Sequence, residues 1–324
     1  MVRGRGRDTI IDEMTIAVTG ISGLVGQALW PYLERDLDVS RVIGIDVRPL
    51  PAGMSADKLS FHQLDMRAPQ VEALLTGVDV LVHLAFVIFR SRKQKKQETD
   101  SINIQGTQTL CKAAARQRVR KLVFLSSVMA YGLHPDNPIP LTEDAPLRPN
   151  PDNFYSRAKG INERYLDRFV TAHPNLVVTR LRPCTIIGPH APSKQMDLLT
   201  GDSTLVARGV EPPIQLVHED DVAQAVHLTI GRDAPGAYNV GGDEPQRLSQ
   251  LMQVHGGSVH ALPFWLVRVL MEIGWRLGLS PLGAEYADLA RYPALLNTDK
   301  LKALGWQPHY STPQAFASLR EKNL

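Results

Sequence analysis

The strongest constraint on the fold is a change of period along the chain. Short apolar and β-branched runs, Thr15 to Thr19, Arg41 to Ile45, Val80 to Leu84, Leu122 to Leu125 and Leu176 to Leu181, alternate with longer stretches whose apolar residues recur at helical spacing. Runs of this kind, apolar on both faces, belong to strands that are covered above and below. The pattern predicts βαβ units and an α/β fold, a Rossmann-type doubly wound parallel sheet. Past Leu181 the text becomes punctuated by Pro and Gly from Pro183 to Pro213, before Ile214 to Val217 and Ala237 to Val240 resume strand-like runs. A smaller C-terminal substrate lobe interleaved with the last sheet elements is expected there. No repeat of the length that builds solenoids or propellers is present.

Composition excludes several classes. With 44% hydrophobic residues, the chain is neither disordered nor collagen-like. Its two cysteines, Cys111 and Cys184, form no disulfide scaffold and lie in no zinc or Cys-x-x-Cys spacing, so no metal site is expected and a reducing, cytoplasmic setting is. The net charge is +3, and Arg90, Arg92, Lys93, Lys95 and Lys96 supply five positive charges; removing those five from +3 leaves −2. Nucleic acid requires a broad cationic face, which one local cluster does not make. Residues 1–13 hold Arg3, Arg5 and Arg7 balanced by Asp8, Asp12 and Glu13, with no apolar core of a secretory signal. They read as a disordered tail or an over-extended start site. No transmembrane segment is expected.

Thr19-Gly20-Ile21-Ser22-Gly23-Leu24-Val25-Gly26 follows the first strand directly and opens a helix. Gly20 permits the tight turn, Gly23 lets backbone N–H groups approach a pyrophosphate at the positive helix end, and Gly26 lets the helix lie close to the sheet. Asp46, 20 residues beyond Gly26, ends the second strand. A carboxylate there accepts hydrogen bonds from both adenosine-ribose hydroxyls and repels the 2′-phosphate of NADP, which favours NAD, although Arg48 offers partial accommodation for a phosphate. Asp65 reads equally as an acceptor for the adenine amino group or as an exposed strand-end carboxylate. Pro31 predicts a bend in the following helix.

Tyr155 and Lys159 stand at i and i+4 on one helix face, where an ammonium brings a phenol toward the working pH range. Ser127, at the carboxyl end of the strand Leu122 to Leu125, supplies a hydroxyl where open α/β sheets place their ligands. Together they suit proton movement at a substrate oxygen while nicotinamide exchanges the hydride.

These residues resemble those of the extended short-chain dehydrogenase/reductases, the NAD-dependent epimerase/dehydratase family. The likeness runs from about Thr15 to Trp306 and includes Val82-His83-Leu84-Ala85, Asn103-Ile104-Gln105-Gly106-Thr107, Leu181-Arg182-Pro183, Gly188-Pro189, His218 to Ala223, Tyr238 to Gly242 and Leu304-Gly305-Trp306. It implies an NAD-binding domain over 14–190 with 214–242 returning to it, and a substrate lobe from 191–213 and 243–324. It further implies catalysis by Ser127, selected over Ser126 by its spacing from Tyr131-Gly132, with Tyr155 and Lys159. Cofactor contacts are implied at Gly20, Ser22, Gly23, Leu24, Val25, Gly26, Asp46, Asp65, Leu84, Ala85, Asn103, Tyr155, Lys159 and Pro183. Cys184 is expected beside the nicotinamide, and His218 and Asp221 as structural residues.

The departures bear on substrate. Where sugar-nucleotide 4,6-dehydratases carry Asp-Glu after the catalytic hydroxyl, this chain has Val128 and Met129, which transfer no protons, so dehydration is not expected. Only 28 residues separate Gly188 from Leu216, and Pro213 to Val217 holds no cation for a diphosphate, although Arg291, Lys194 or the basic cluster offers a substitute. Phe264 to Leu277 is apolar around all but a stripe of Arg268, Glu272 and Arg276, and is expected to bury most of its circumference, with an apolar substrate lid or interfacial anchor as the alternative. The leading expectation is an NAD-dependent epimerase or dehydrogenase of a nucleotide sugar resembling the UDP-sugar 4-epimerases, possessing a small-molecule substrate and a homodimeric assembly. A hydroxysteroid-dehydrogenase-like reductase of an apolar ketone and a non-catalytic NAD sensor are the alternatives. The cluster Arg90 to Lys96 is either a solvated loop or a cationic lid beside the cleft.

Overall fold

The computed structural model describes residues 13–321 apart from 56, 91–93, 192–202 and 255. The expected tail up to Asp12, Arg92, Lys93 and Lys194 lie outside the described residues. Strands are β1 (Met14–Thr19), β2 (Val39–Asp46), β3 (Leu59–Gln63), β4 (Val80–His83), β5 (Lys121–Leu125), β6 (Val177–Pro183), β7 (Thr185–Ile187), β8 (Ser203–Ala207), β9 (Pro213–Ile214), β10 (Leu216–His218), β11 (Gly236–Val240), β12 (Gln246–Arg247) and β13 (Ser258–Leu262). Helices are α1 (Leu24–Arg35), α2 (Gln70–Leu74), α3 (Lys96–Asp100), α4 (Thr107–Arg116), α5 (Phe154–Ala172), α6 (Glu219–Gly231), α7 (Leu248–Val254), α8 (Phe264–Leu277), α9 (Asp299–Lys302) and α10 (Thr312–Glu321).

Seven strands form one parallel sheet in the order β11-β6-β5-β4-β1-β2-β3, the doubly wound Rossmann-type arrangement expected from the buried runs. Successive strand residues point to opposite faces. Ile16, Val18, Val80, Val82 and Val123 therefore pack with Leu29 and Leu33 of α1 and Val222 and Val226 of α6. Ala17, Leu81, Leu122 and Phe124 pack with Leu110 of α4 and Leu166 and Phe169 of α5. Helix α1 runs through Pro31 from Leu24 to Arg35.

The strand-like run Ile214 to Val217 does not join this sheet. It divides at Gln215: β9 pairs antiparallel with β12, and β10 pairs parallel with β7. Gln215 separates them because its amide is turned inward, accepting from the Leu296 N–H at 2.7 Å and donating to the Gly242 carbonyl at 2.9 Å. Only Gly236–Val240 of the returning segment completes the large sheet.

Helix α8 also departs from expectation. Of its 14 residues only Val267 is fully buried, and Trp265, Val269, Leu270, Ile273 and Leu277 are exposed. Composition reports an apolar stripe without reporting whether anything covers it.

Candidate active site

The turn between β1 and α1 is built by close backbone approach. Gly20 has φ +77°, and a Cβ there would stand 2.5 Å from the Ala85 nitrogen. A Cβ on Gly26 would meet the Ile21 carbonyl oxygen at 2.3 Å. The Gly23 N–H donates to the Gly20 carbonyl at 2.9 Å, and α1 begins at the next residue without a side-chain cap, so its first N–H groups face the cavity mouth. The Ser22 hydroxyl is buried without a hydrogen-bond partner. Glycine cradle and free helix start fit a dinucleotide pyrophosphate, whereas the Ser22 hydroxyl is turned away from the cavity.

Asp46 ends β2 as expected and is 6% exposed. Its carboxylate accepts from the Ser22 N–H at 3.0 Å, the Arg48 N–H at 3.0 Å, and the Arg48 guanidinium at 3.2 and 3.3 Å. The cation that sequence reading set against the carboxylate thus sits on it. Asp65 likewise accepts from Arg67, at 2.6 Å in the closest contact, and that pairing holds its carboxyl below the usual range.

Ser127 caps a short turn over Val128–Ala130, its Oγ accepting from the Met129 N–H at 3.2 Å. Asn153 caps α5 through the Ser156 N–H at 2.9 Å, which sets Tyr155 and Lys159 in the first two turns, facing Ser127. Burial pushes the Tyr155 phenol up to about 12, and a hydrogen bond from the Ser127 hydroxyl opposes the rise. Lys159 donates from Nζ to the Leu125 carbonyl at 2.6 Å, with the Phe86 ring centroid 3.5 Å away and that of Tyr155 at 5.7 Å. Burial takes the Lys159 ammonium well below its ordinary value, Glu163 opposing. Desolvation therefore outweighs the mutual help expected from the Tyr/Lys spacing.

Behind this face lies a buried polar network. Arg182 of β6 donates to both Glu163 oxygens at 2.9 Å and to the Tyr131 hydroxyl at 2.8 Å, and that hydroxyl donates to Asn239 Oδ1 at 2.8 Å. His83 is fixed between the Thr19 and Thr107 hydroxyls at 2.7 and 2.9 Å, and burial lowers it to about 3. A π-helical turn, Ser101–Gly106, carries Asn103, whose amide pins the Val87 backbone at 2.8 and 2.9 Å. His218 caps α6, and the buried Asp221 carboxylate accepts from the His309 and Tyr310 N–H groups at 2.6 and 3.2 Å.

One cavity of about 910 Å³ joins Gly20, Gly23, Leu24, Val25, Gly26, Asp46, Asp65, Leu84, Ala85, Ser127, Tyr155, Lys159, Pro183 and Cys184. Ser22 and Asn103 stand outside its lining, Asn103 acting through Val87. Among the described residues no group of three or more His, Cys, Asp or Glu side chains is arranged to hold a metal.

Residues 16–241 match the model of the NAD dependent epimerase/dehydratase family. The chain belongs to that family. It is a nicotinamide-dinucleotide-dependent enzyme of oxidoreductase type, with the extended short-chain dehydrogenase/reductase architecture. A UDP-glucose 4-epimerase of Mycolicibacterium smegmatis is 28% identical over 95% of this chain and 98% of its own. Two solved structures share the fold. MoeE5 in complex with UDP-glucuronic acid and NAD has a TM-score of 0.74 at 20% identity, covering 96% of this chain and 100% of its own. DesIV, a dTDP-glucose 4,6-dehydratase of Streptomyces venezuelae with NAD and TYD bound, has a TM-score of 0.76 at 22% identity, covering 96% and 97%.

Sequence reading of this family member misses Phe86, although it directly follows the Val82-His83-Leu84-Ala85 motif. It also misses Tyr286, whose hydroxyl donates to the Ile88 carbonyl at 3.0 Å across the cavity wall. No local signal marks Tyr286, since 198 residues separate the partners.

Proposed function

We propose that this enzyme moves a hydride between NAD and the carbon of a secondary alcohol or ketone, with a nucleotide sugar as its substrate class. The reading is carried by one observation: Ser127, Tyr155 and Lys159 line the same cavity as the glycine turn. Bound NAD supplies the hydride acceptor and donor. Ser127 holds the substrate oxygen, and Tyr155 removes or returns its proton. Lys159 stabilises the phenolate electrostatically and is the candidate ribose anchor. Val128 and Met129 provide neither acid nor base, so the reading excludes 4,6-dehydration. The UDP-glucose 4-epimerase relative, alignable over nearly the whole chain, supports the substrate class. Tyr155→Phe is expected to retain cofactor binding and lose turnover at least ~100-fold, within the usual range of general acid/base catalysis; full turnover would overturn the assignment.

Asp46 supports NAD over NADP, because a buried carboxylate opposes a 2′-phosphate. Asp46→Ala is expected to raise NADP affinity; an unchanged NADP Kd would remove the carboxylate as discriminator. The two buried free cysteines support a cytoplasmic location, and sedimentation velocity tests the expected homodimer.

A second reading, an apolar ketone as substrate, has its own support. The far wall is formed by Val206, Val267, Met271, Leu282 and Leu289. Among the described lining residues, Lys and Arg occur only as Arg48, on Asp46, and Lys159. Equilibrium binding of UDP-sugars against steroid or flavonoid ketones separates the readings: nanomolar to micromolar affinity for one class alone selects it.

A further inference from the structure

The pairing of β7 with β10 sets two segments side by side. Ile187 stands opposite His218, so the turn Gly188-Pro189-His190 runs beside the start of α6 at Glu219. The approach is close: a Cβ on Gly188 would lie 2.4 Å from the Glu219 carboxyl carbon. The Glu219 side chain, 2% exposed, accepts from the His190 backbone N–H at 3.0 and 3.2 Å and from its ring Nδ1. A carboxylate on Nδ1 fixes that nitrogen as a donor and leaves Nε2 for other partners. The ring is 39% exposed and lines the active-site cavity, and Nε2 has no hydrogen-bond partner among the described residues.

The other charged groups of the lining are engaged. Arg48 sits on Asp46, Asp65 holds Arg67, and Lys159 donates to the Leu125 carbonyl beside the site of hydride transfer. Glu211 accepts from the Ser249 N–H and hydroxyl at 2.7 and 2.8 Å. His218, the neighbouring imidazole, stacks on Tyr310 with 4.1 Å between ring centroids and stands outside the lining. Arg291 lies over the rings of Phe264 and Tyr292, also outside it. Among the described residues that line the cavity from Thr185 onward, His190 is therefore the one side chain able to carry positive charge.

A nucleotide diphosphate calls for charged donors, and the stretch Pro213 to Val217 supplies none. With a phosphate oxygen on Nε2 and Glu219 on Nδ1, an imidazolium stands between two anions and both ring N–H groups donate in charge-assisted bonds. We propose that His190, oriented by Glu219, holds the diphosphate of the nucleotide substrate. The inference rests on the nucleotide-sugar reading of the site and deepens it by naming the group that meets the phosphates.

Isothermal titration of the NAD-saturated full chain with UDP and dTDP, and with uridine and thymidine, tests it. The wild type is expected to bind at least one diphosphate ~tenfold or more tighter than its nucleoside, the usual worth of a hydrogen bond to a charged group. His190→Gln keeps the backbone N–H bonds to Glu219 and is expected to abolish that preference while leaving nucleoside affinity, NAD affinity and Tm unchanged. His190→Arg returns a cation to the position and is expected to recover the preference. A preference that survives His190→Gln overturns the proposal and leaves the nucleotide-sugar reading standing. Failure of His190→Arg to recover it assigns the loss to the shape of the turn and overturns the proposal as well. Absence of binding, or of any diphosphate preference, in the wild type overturns both the proposal and the nucleotide-sugar reading beneath it.

Discussion

Replacing Glu163 by Gln tests how the catalytic helix is tied to the sheet. Glu163 is fully buried on α5, one turn beyond Lys159, and receives three guanidinium contacts, two from Arg182 at 2.9 Å and one from Arg180 at 3.1 Å. The amide keeps the shape and one acceptor but leaves Arg182, itself 4% exposed, as an uncompensated buried cation. Removing one partner of a buried pair costs about 3–5 kcal/mol. An unfolding entropy of roughly 2.1 cal/mol/K per residue gives about 0.7 kcal/mol/K for this chain, so ~4 kcal/mol lowers Tm by about 6 °C. Burial would raise the Glu163 carboxyl, but Arg182 and Arg180 outweigh it and hold it below its usual value. A folded-state pKa below the unfolded one contributes stability above the unfolded value and loses it as pH falls through the folded value. The wild-type advantage over Glu163→Gln should therefore be complete near neutrality and shrink below about pH 4.5. Thermal unfolding by circular dichroism from pH 3 to 8 measures both. The companion Glu163→Leu with Arg182→Met removes both charges and should be less damaged than the single variant, since a buried pair replaced by apolar groups is often neutral. A single variant within 1 °C of wild type, or a Tm difference independent of pH, would refute the account of the network.

Other outcomes follow from single contacts. Gly26→Ala, with its Cβ 2.3 Å from the Ile21 carbonyl oxygen, should weaken NAD binding more than tenfold by displacing α1, measured by fluorescence titration. Because burial places the Tyr155 phenol at about 12, alcohol oxidation, which needs phenolate, should rise with pH through pH 9, whereas ketone reduction, which needs the phenol, should stay level over the same range; pH–rate profiles in both directions check this. His83, lowered to about 3 by burial, charges more readily when unfolded, so it removes stability as pH falls below about 6.5; in His83→Gln the pH 4 to 7 difference in unfolding free energy should be smaller than in wild type. Phe86→Ala opens the Lys159 ammonium to water by removing the ring 3.5 Å from Nζ, and because burial is the main cause of its lowered pKa the relief of desolvation should outweigh the lost cation–π contact and raise it, read as a shift in its modification rate by an amine reagent with pH.

What was legible before the structure was whatever depends on neighbours in the chain. The strands of the large sheet are apolar on both faces, and few environments other than a covered parallel sheet accept that pattern. Glycine spacing and the Tyr155/Lys159 interval are local, and both lead to the cavity. Direction was not legible. The apolar residues of α8 were counted correctly and turned the wrong way, because periodicity defines a stripe and says nothing about which surface meets it. The run at 214–217 was read as one strand because the inward amide of Gln215 answers to Leu296 and Gly242, which are distant in sequence. The covering of Lys159 by Phe86, and the closure of the wall by Tyr286, depend on tertiary approach in the same way.

The place of β11 in the chain has a consequence for exchanging substrate chemistry within this family. Its strand closes one edge of the large sheet against β6, yet the chain reaches it only after making the separate β9 and β10 pairings and helix α6, and Asn239 on it is tied to the Leu141 and Asn297 carbonyls at 3.0 and 3.1 Å. A cut near residue 190 would expose the β6 edge and strip the Tyr131 hydroxyl of its acceptor at Asn239. Exchange of the segments flanking α6 and β11 must therefore be made as two inserts, with that helix and that strand both left in place. No single crossover point can trade both flanking segments.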